Sequence, residues 1–474
     1  MKRSKHNLSH YHLTSCDMGE LIPVGCVEVL PGDTFRHRTS ALIRVTPQLK
    51  PLMHPVQARI HHFFVPTRLI WTGWEAFITD QSGASSPPTI SGGAHSEGTL
   101  SDYLGVYNDA SNAFSALPIR AYNKIYNDYY RDQDVISEVS EDTNTIQKIA
   151  WAKDRFTAAR ATPQQGTAVS LPLGTSAPVI GDGTQMQLSP DSDAGSPTNV
   201  TTNASAQLAL VGQASKDLYV PDGGDFGAVA DLSSATAATI HQLREAMALQ
   251  KYAEARMNWG ENYVDYLRYI GVRPSDARLQ RPEFLGGGRQ AIAFSEVLNT
   301  SNTDTGEMVG HGIGAMRTNR YQRFFEEHGY VISLLSVRPR SIYVNALPKK
   351  FSRTQMEDYF QMELANIGDE EVYNKEIYSA DTGPDDVFGY SPRYDTYRHE
   401  HSYVSAEMRN STNYDFHMGR IFSSDVALNQ SFIECSPTKR CFADQSEDSL
   451  WVMVNHSIQT RRMVPKHARY AGLV

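Results

Sequence analysis

From Val56 to Val65, "VQARIHHFFV", the chain divides into two interleaved sets. Val56, Ala58, Ile60, His62 and Phe64 form a mostly apolar set; Gln57, Arg59, His61, Phe63 and Val65 form the other, polar until its last two members. A period of two predicts a strand, and Pro66, lacking an amide hydrogen, ends its ladder. Successive side chains leave a strand on opposite faces, so the adjacent His61 and His62 cannot chelate one ion together. Similar patterns predict strands at "LIPVGCVEVL" (21–30), "ALIRVTP" (41–47), "FIECS" (432–436) and "LWVMVNHSI" (450–458). "YVISLLSVRPR" (330–340) is apolar on both faces, which predicts a central strand.

Helical spacing appears elsewhere. "WTGWEAFITD" from Trp71 predicts a short helix, and Tyr122, Ile125, Tyr126 and Tyr129 predict another over 120–132. Ile240, Leu243, Met247, Leu249, Ala253 and Met257 mark a longer one. A further piece runs from Tyr263 to Ile270 and stops at Gly271, so 240–270 reads as a helical insertion. The Ser-, Gly- and Pro-rich run 81–98 predicts a surface loop, and "GVRPSDARLQRPEFLGGGRQ" (271–290) predicts another. The strands are few, short and widely separated, with no βαβ rhythm and no repeat. That arrangement suits a mainly β antiparallel sandwich whose corners carry large insertions.

Charge divides the chain unevenly. The net charge is −9 over 474 residues, against a strongly basic coat for nucleic acid. Between Thr175 and Thr239, one lysine stands against seven aspartates, leaving −6 in this segment alone. Its few large apolar residues cannot build much core, so it reads as an acidic surface insertion on an otherwise single-domain chain. The ends differ: residues 1–50 hold seven basic residues and four acids, and residues 436–474 hold six and three. Lys2, Arg3, Lys5, Lys439, Arg440, Arg461, Arg462, Lys466 and Arg469 are the candidates for phosphate contact. Tyr394, Tyr397 and Arg398, in an aromatic loop over 390–403, are candidates for a subunit interface.

Catalytic and metal-binding signatures are weak. Cys16, Cys26, Cys435 and Cys441 form no CxxC pair and read as free thiols of a reducing cytoplasm. The basic N-terminus lacks the apolar region of a signal peptide, and no apolar run is long enough to cross a bilayer. "LGGGR" (285–289) is not followed by GK[ST], and "DSDAG" (191–195) has no closing glutamate. His399 and His401 would share one strand face but lack further ligands nearby. Glu326 and Glu327 are adjacent and so cannot face each other as a glycosidase pair. No enzyme activity, metal or cofactor is expected. A viral spike or receptor-binding sandwich and a β-scaffold enzyme remain the rival readings.

Six stretches, in order, carry a family resemblance: "GELIPVGCVEVLPGDTF" (19–35), "HHFFVPTRLIWTGWEAF" (61–77), "YNKIYNDYYRD" (122–132), "TPQQGTAVSLPLG" (162–174), "GVRPSDARLQRPEFLGGG" (271–288) and "HGYVISLLSVRPR" (328–340). The chain resembles the major capsid protein, the F-type coat protein, of the Microviridae, with a gokushovirus-like cast. The resemblance implies an eight-stranded antiparallel jelly roll with large helical and loop insertions. It also implies a virion component assembled in the host bacterial cytoplasm, about sixty copies closing into an icosahedral shell around single-stranded DNA. A small basic DNA-binding protein, scaffolding proteins and a host surface receptor would be its other partners. In the family, the position of 175–239 holds an insertion that protrudes at the threefold axes. Copies here would pack through Leu208, Leu210, Val211, Tyr219, Val220 and Phe226.

Overall fold

The computed structural model describes residues 3–91, 96–107, 112–169, 240–260, 262–298 and 308–466, together with short strand pieces between 179 and 230. Ten strands form one curled antiparallel sheet: β1 (Ser4–Asn7), β2 (His10–Cys16), β3 (Leu21–Val29), β4 (Thr34–Gln48), β5 (Val56–Pro66), β6 (Glu283–Leu298), β7 (Met308–Arg317), β8 (Tyr321–Phe324), β9 (Gly329–Pro339) and β10 (Leu450–Arg462). Setting aside the short β1 and β8, eight remain. β2, β10, β4 and β7 pair in that order, as do β3, β9, β5 and β6, and β6 joins β7. First beside eighth, eighth beside third, third beside sixth; second beside seventh, seventh beside fourth, fourth beside fifth: this is the pairing of a jelly roll.

The two groups of four close on one core. Ile22 and Val24 of β3, Ile60 of β5 and Leu335 of β9 meet Ile43 of β4 and Val452 and Val454 of β10. Each strand supplies that core with alternate residues, as its period demands. Burial along β9 is nearly continuous because its other face is covered too. Ile332 and Leu334 there pack beneath helix α1 (Leu117–Tyr129), whose Ile119, Tyr122, Ile125 and Tyr126 are buried. The Tyr122 hydroxyl donates to the Leu21 carbonyl at 2.8 Å and ties α1 to the sheet edge. β9 therefore lies between β5 and β3 as a central strand, as its two apolar faces predict.

Four expectations need correction. Residues 283–290 are not loop but the first half of strand β6, which pairs with β5 and β7. "FIECS" is not a strand: Asn429 caps a helical turn over Gln430–Ile433 by accepting the Phe432 amide at 2.9 Å. His399 and His401 are not on a strand; a 3-10 turn over Asp395–Tyr397 precedes them, and only single-residue bridges follow. β4 is also far longer than 41–47, beginning at Thr34.

Residues Gly166–Ala253 form a compact unit apart from the rest of the chain. In this unit Val179–Gly181 pairs with Ala228–Ala230, Gln187–Leu188 with Thr198–Asn199, and Thr201–Thr202 with Leu208–Ala209. Leu210, Val211, Tyr219, Val220 and Phe226 lie outside the described residues, as does the side chain of Leu208. The predicted helices occupy Ile240–Trp259 and Tyr263–Tyr269.

Candidate nucleic-acid interface

The group of strands β2, β10, β4 and β7 has one face in the core and the other open. Cross-strand register defines this open face. Trp451 of β10 lies opposite Arg44 of β4, and Arg44 lies opposite Ile313 of β7. Leu13, Met453, Leu42 and Ala315 form the next row. Tyr11, Asn455, Ser40 and Arg317 form the third. Beyond them Arg38 lies opposite Ser457, Arg36 opposite Gln459, and Lys5 of β1 opposite Arg461. Trp451 is half exposed, and Tyr11 and Leu13 are more so.

The electrostatics of this surface are one-sided. Not one aspartate or glutamate occurs in β1, β2, β4, β7 or β10. Lys5, Arg36, Arg38, Arg44, Arg317 and Arg461 make no ion pair among the described residues. Arg36 instead takes the Gln322 side-chain oxygen at 2.7 Å. In a chain of net charge −9 this is a concentrated basic field interleaved with exposed rings and aliphatic side chains. Guanidinium groups bind phosphate oxygens through paired donors, and aromatic faces accept stacked bases without regard to sequence.

Of the nine basic residues singled out from sequence, the structure brings Lys5 and Arg461 to this face. Arg3 stands beside it, donating to the Gly32 carbonyl at 3.0 Å. Three others serve their own fold. Arg462 pairs with the fully buried Asp33 at 2.7 Å. Lys439 pairs with Asp17 at 2.8 Å. Arg440 donates to the carbonyls of Tyr414, His417 and Gly419. Lys466 is exposed beyond β10, and Lys2 and Arg469 lie outside the described residues. Sequence reading missed Arg36, Arg38, Arg44 and Arg317. The signal was present: carried back to Thr34, the alternation of β4 puts Arg36, Arg38 and Arg44 on one face.

The aromatic loop also divides. Tyr394 is 4% exposed; its hydroxyl lies within 3.3 Å of the Glu357 and Tyr359 carbonyls and 3.1 Å from the Gln361 amide. Tyr397 is half exposed under the Arg353 guanidinium, which lies 4.2 Å from its ring centre. Arg398 is exposed beside Asp395. Phe351, Met356, Phe360 and Met362 are exposed too, and the Phe360 ring lies against Tyr394 and Tyr397. His399 Nδ1 donates to Asp395 Oδ1 at 3.0 Å, while His401 packs against Phe156. The four cysteines are free thiols, three of them buried. No helix among the described residues is long and apolar enough to cross a membrane.

The family model described as "Capsid protein (F protein)" matches residues 1–470. Capsid protein VP1 of Bdellovibrio phage phiMH2K is 34% identical over 472 residues, covering 91% of this chain and 88% of the relative. Capsid protein VP1 of Chlamydia phage 1 is 30% identical, covering 94% of this chain and 91% of the relative. Capsid protein VP1 of Spiroplasma virus 4 is 30% identical, covering 86% and 83%.

Proposed function

The chain belongs to the capsid protein (F protein) family of the Microviridae, structural components of phage virions, and from that premise we propose that the open face of β10, β4 and β7 lines the inner wall of a closed shell against single-stranded DNA. The acid-free, basic and aromatic character of that face is the observation that carries this reading. About sixty copies would close the simplest icosahedral shell through head-to-tail contacts. Contacts of this kind hold phosphates and stack bases without reading sequence. The six cations neutralise a small part of a genome, so a small basic protein is proposed to supply the remainder, and scaffolding proteins to guide closure. The acidic segment 175–239 would be repelled by phosphate and is therefore proposed for the outer face, as a threefold protrusion able to meet a host receptor. Family membership sets the spike and enzyme readings aside.

Salt dependence tests the inner-wall assignment. Each phosphate contact on a single strand contributes roughly 0.7 to the slope of log affinity against log salt. Replacing Arg36, Arg38, Arg44 and Arg461 with glutamine should lower that slope by about 3 for an oligothymidylate. Shells should still close but package less DNA. An unchanged slope together with full genome content would refute the assignment.

Tyr397 and Arg398 are proposed to contact a neighbouring copy, whereas Tyr394 supports the loop from within. Alanine at both 397 and 398 should cut particle yield at least tenfold and shift unfolding of the unassembled chain by less than about 0.5 kcal/mol. Alanine at 394 should cost about 3 kcal/mol of folding stability. Normal particle yield from the 397/398 variant would remove these residues from the interface.

A further inference from the structure

On the opposite outward face of the sandwich, β5 and β9 floor a cavity of ≈ 540 Å³ between α1, the segment 149–153 and the start of β6. That volume is in the range of sites that enclose a small organic ligand. Five basic side chains line it against two carboxylates; of the five, Lys153 pairs with Asp132, Arg131 with Glu138 at 3.1 Å and Arg268 with Asp265 at 3.5 Å, which leaves Arg59 and Arg338 without an ion pair among the described residues. Both carboxylates are already engaged, Asp132 by Lys153 and Asp276 by Arg281 at 3.5 Å. The Arg59 side chain has no hydrogen-bond or ion-pair partner among the described residues. Arg338 donates only to the Ala150 carbonyl, at 3.0 Å.

These two guanidinium groups are neighbours. Arg59 lies opposite Ser336 on β9, and Arg338 is two residues along on the same face. Burial and the charge of Arg59 both push the Arg338 guanidinium below its usual range. Like charges held side by side in a half-buried cleft oppose folding unless an anion joins them. The walls are aromatic. The Tyr130 hydroxyl bonds His61 Nδ1 at 2.8 Å, Phe284 meets the His61 ring edge-on at 5.4 Å, and Trp151 closes the side. Phe284 is half exposed at the opening.

We propose that this cavity binds a phosphate monoester carrying a flat ring, of the mononucleotide class, with the phosphate held by Arg59 and Arg338 and the ring against the aromatic wall. A surplus of cations suits a dianion, and paired guanidinium forks suit phosphate geometry. Sequence-blind stacking suits the ring. The site is separate from the open face of β4 and β10, and it does not rest on the shell reading.

Calorimetric titration of the full, unassembled chain with deoxyadenosine monophosphate tests the assignment, with deoxyadenosine and inorganic phosphate as the partial ligands. The nucleotide should bind at least tenfold more tightly than either and should change Trp151 fluorescence. Arg59→Gln should weaken it at least tenfold without lowering the unfolding temperature, since Arg59 holds nothing in place. Arg338→Gln should do the same to binding. A second readout needs no variant: the nucleotide should protect Arg59 and Arg338 from phenylglyoxal, read by mass spectrometry. Competition by a short oligothymidylate would identify the source as a nucleotide of a strand; absence of competition would identify a free nucleotide; both uphold the site. Equal affinity for nucleotide and nucleoside, or an unaltered affinity in Arg59→Gln with no protection of either arginine, overturns it.

Discussion

Lowering the pH from 7.5 to 5 is expected to remove about 4–6 kcal/mol of folding stability from the unassembled chain, a large part of what a native protein possesses. Three histidines inside the sandwich account for that amount, and His54 and His61, each pushed down to about 4 by burial, add to the fall in the same direction. His37, His62 and His456 are buried, with the His37 and His62 ring centres 4.7 Å apart. Their hydrogen bonds suit neutral rings. His456 Nε2 lies 2.8 Å from the Val24 carbonyl and so carries its proton there. Its Nδ1 is then an acceptor, 3.1 Å from His37 Nε2, which donates. His37 Nδ1 in turn accepts from the Tyr321 hydroxyl at 2.9 Å. Protonating His456 Nδ1 would set two N–H groups against each other.

Burial first, then neighbouring histidines, push His37 down to about 2, His62 to about 3 and His456 to about 4. Each native value lies below the ordinary 6.5, so the unfolded chain takes up its proton first. Stability is therefore full above pH 6.5 and falls as pH drops toward the native values. Each ring contributes about 1.4 kcal/mol per pH unit over that window. Urea unfolding at pH 7.5, 6.5, 5.5 and 5 measures the fall. His456→Gln, which keeps a donor for Val24 and does not titrate, should reduce the slope by roughly one proton. A stability that stays flat from pH 7.5 to 5 would exclude this account.

That cluster shows where sequence reading stops. The period of β5 assigns His61 and His62 to opposite faces, and the structure agrees: His62 is wholly buried, while His61 lines the outward cavity. Nothing local says that His37, twenty-five positions earlier, and His456, at the far end of the chain, share its interior. Their meeting depends on β10 pairing with β4, a contact between residues some four hundred apart. Amphipathic strands and helices with a strong period were legible, as β3, β5, β9, β10 and α1 show. The open basic face was half legible. Arg461 was named for its place near a basic terminus, but Arg36, Arg38 and Arg44 were lost with the N-terminal half of β4. Charge counted by segment hides charge arranged by face: in β4 the arginines alternate with buried residues, so the stretch looks mixed until its period is followed.

Strand β6 was illegible for a different reason, and it yields the sharpest expected loss by a single methyl group. Gly286, Gly287 and Gly288 resemble a flexible turn, since glycine favours turns and weakens strands. Here each answers a steric demand instead. Gly286 has φ +125° at the bulge between β6 and β5, a conformation rarely adopted by other residues. A Cβ at Gly287 would sit 2.3 Å from the Ile60 carbonyl oxygen, and one at Gly288 would sit 2.9 Å from the Thr318 Cα. Those obstacles are backbone, in strand β5 and just after β7, and cannot rotate aside. Gly287→Ala should therefore force β6 away from β5 and break the ladder between them, inside the group of β3, β9, β5 and β6. Its cost should reach or exceed the upper end of the roughly 1–3 kcal/mol typical of overpacking. Ala291→Thr, which enlarges an exposed side chain four residues along the same strand, should stay within about 0.5 kcal/mol. Urea unfolding of both unassembled variants distinguishes them. If Gly287→Ala unfolds within 0.5 kcal/mol of the parent chain, the close approach of β6 and β5 is not what selects glycine there.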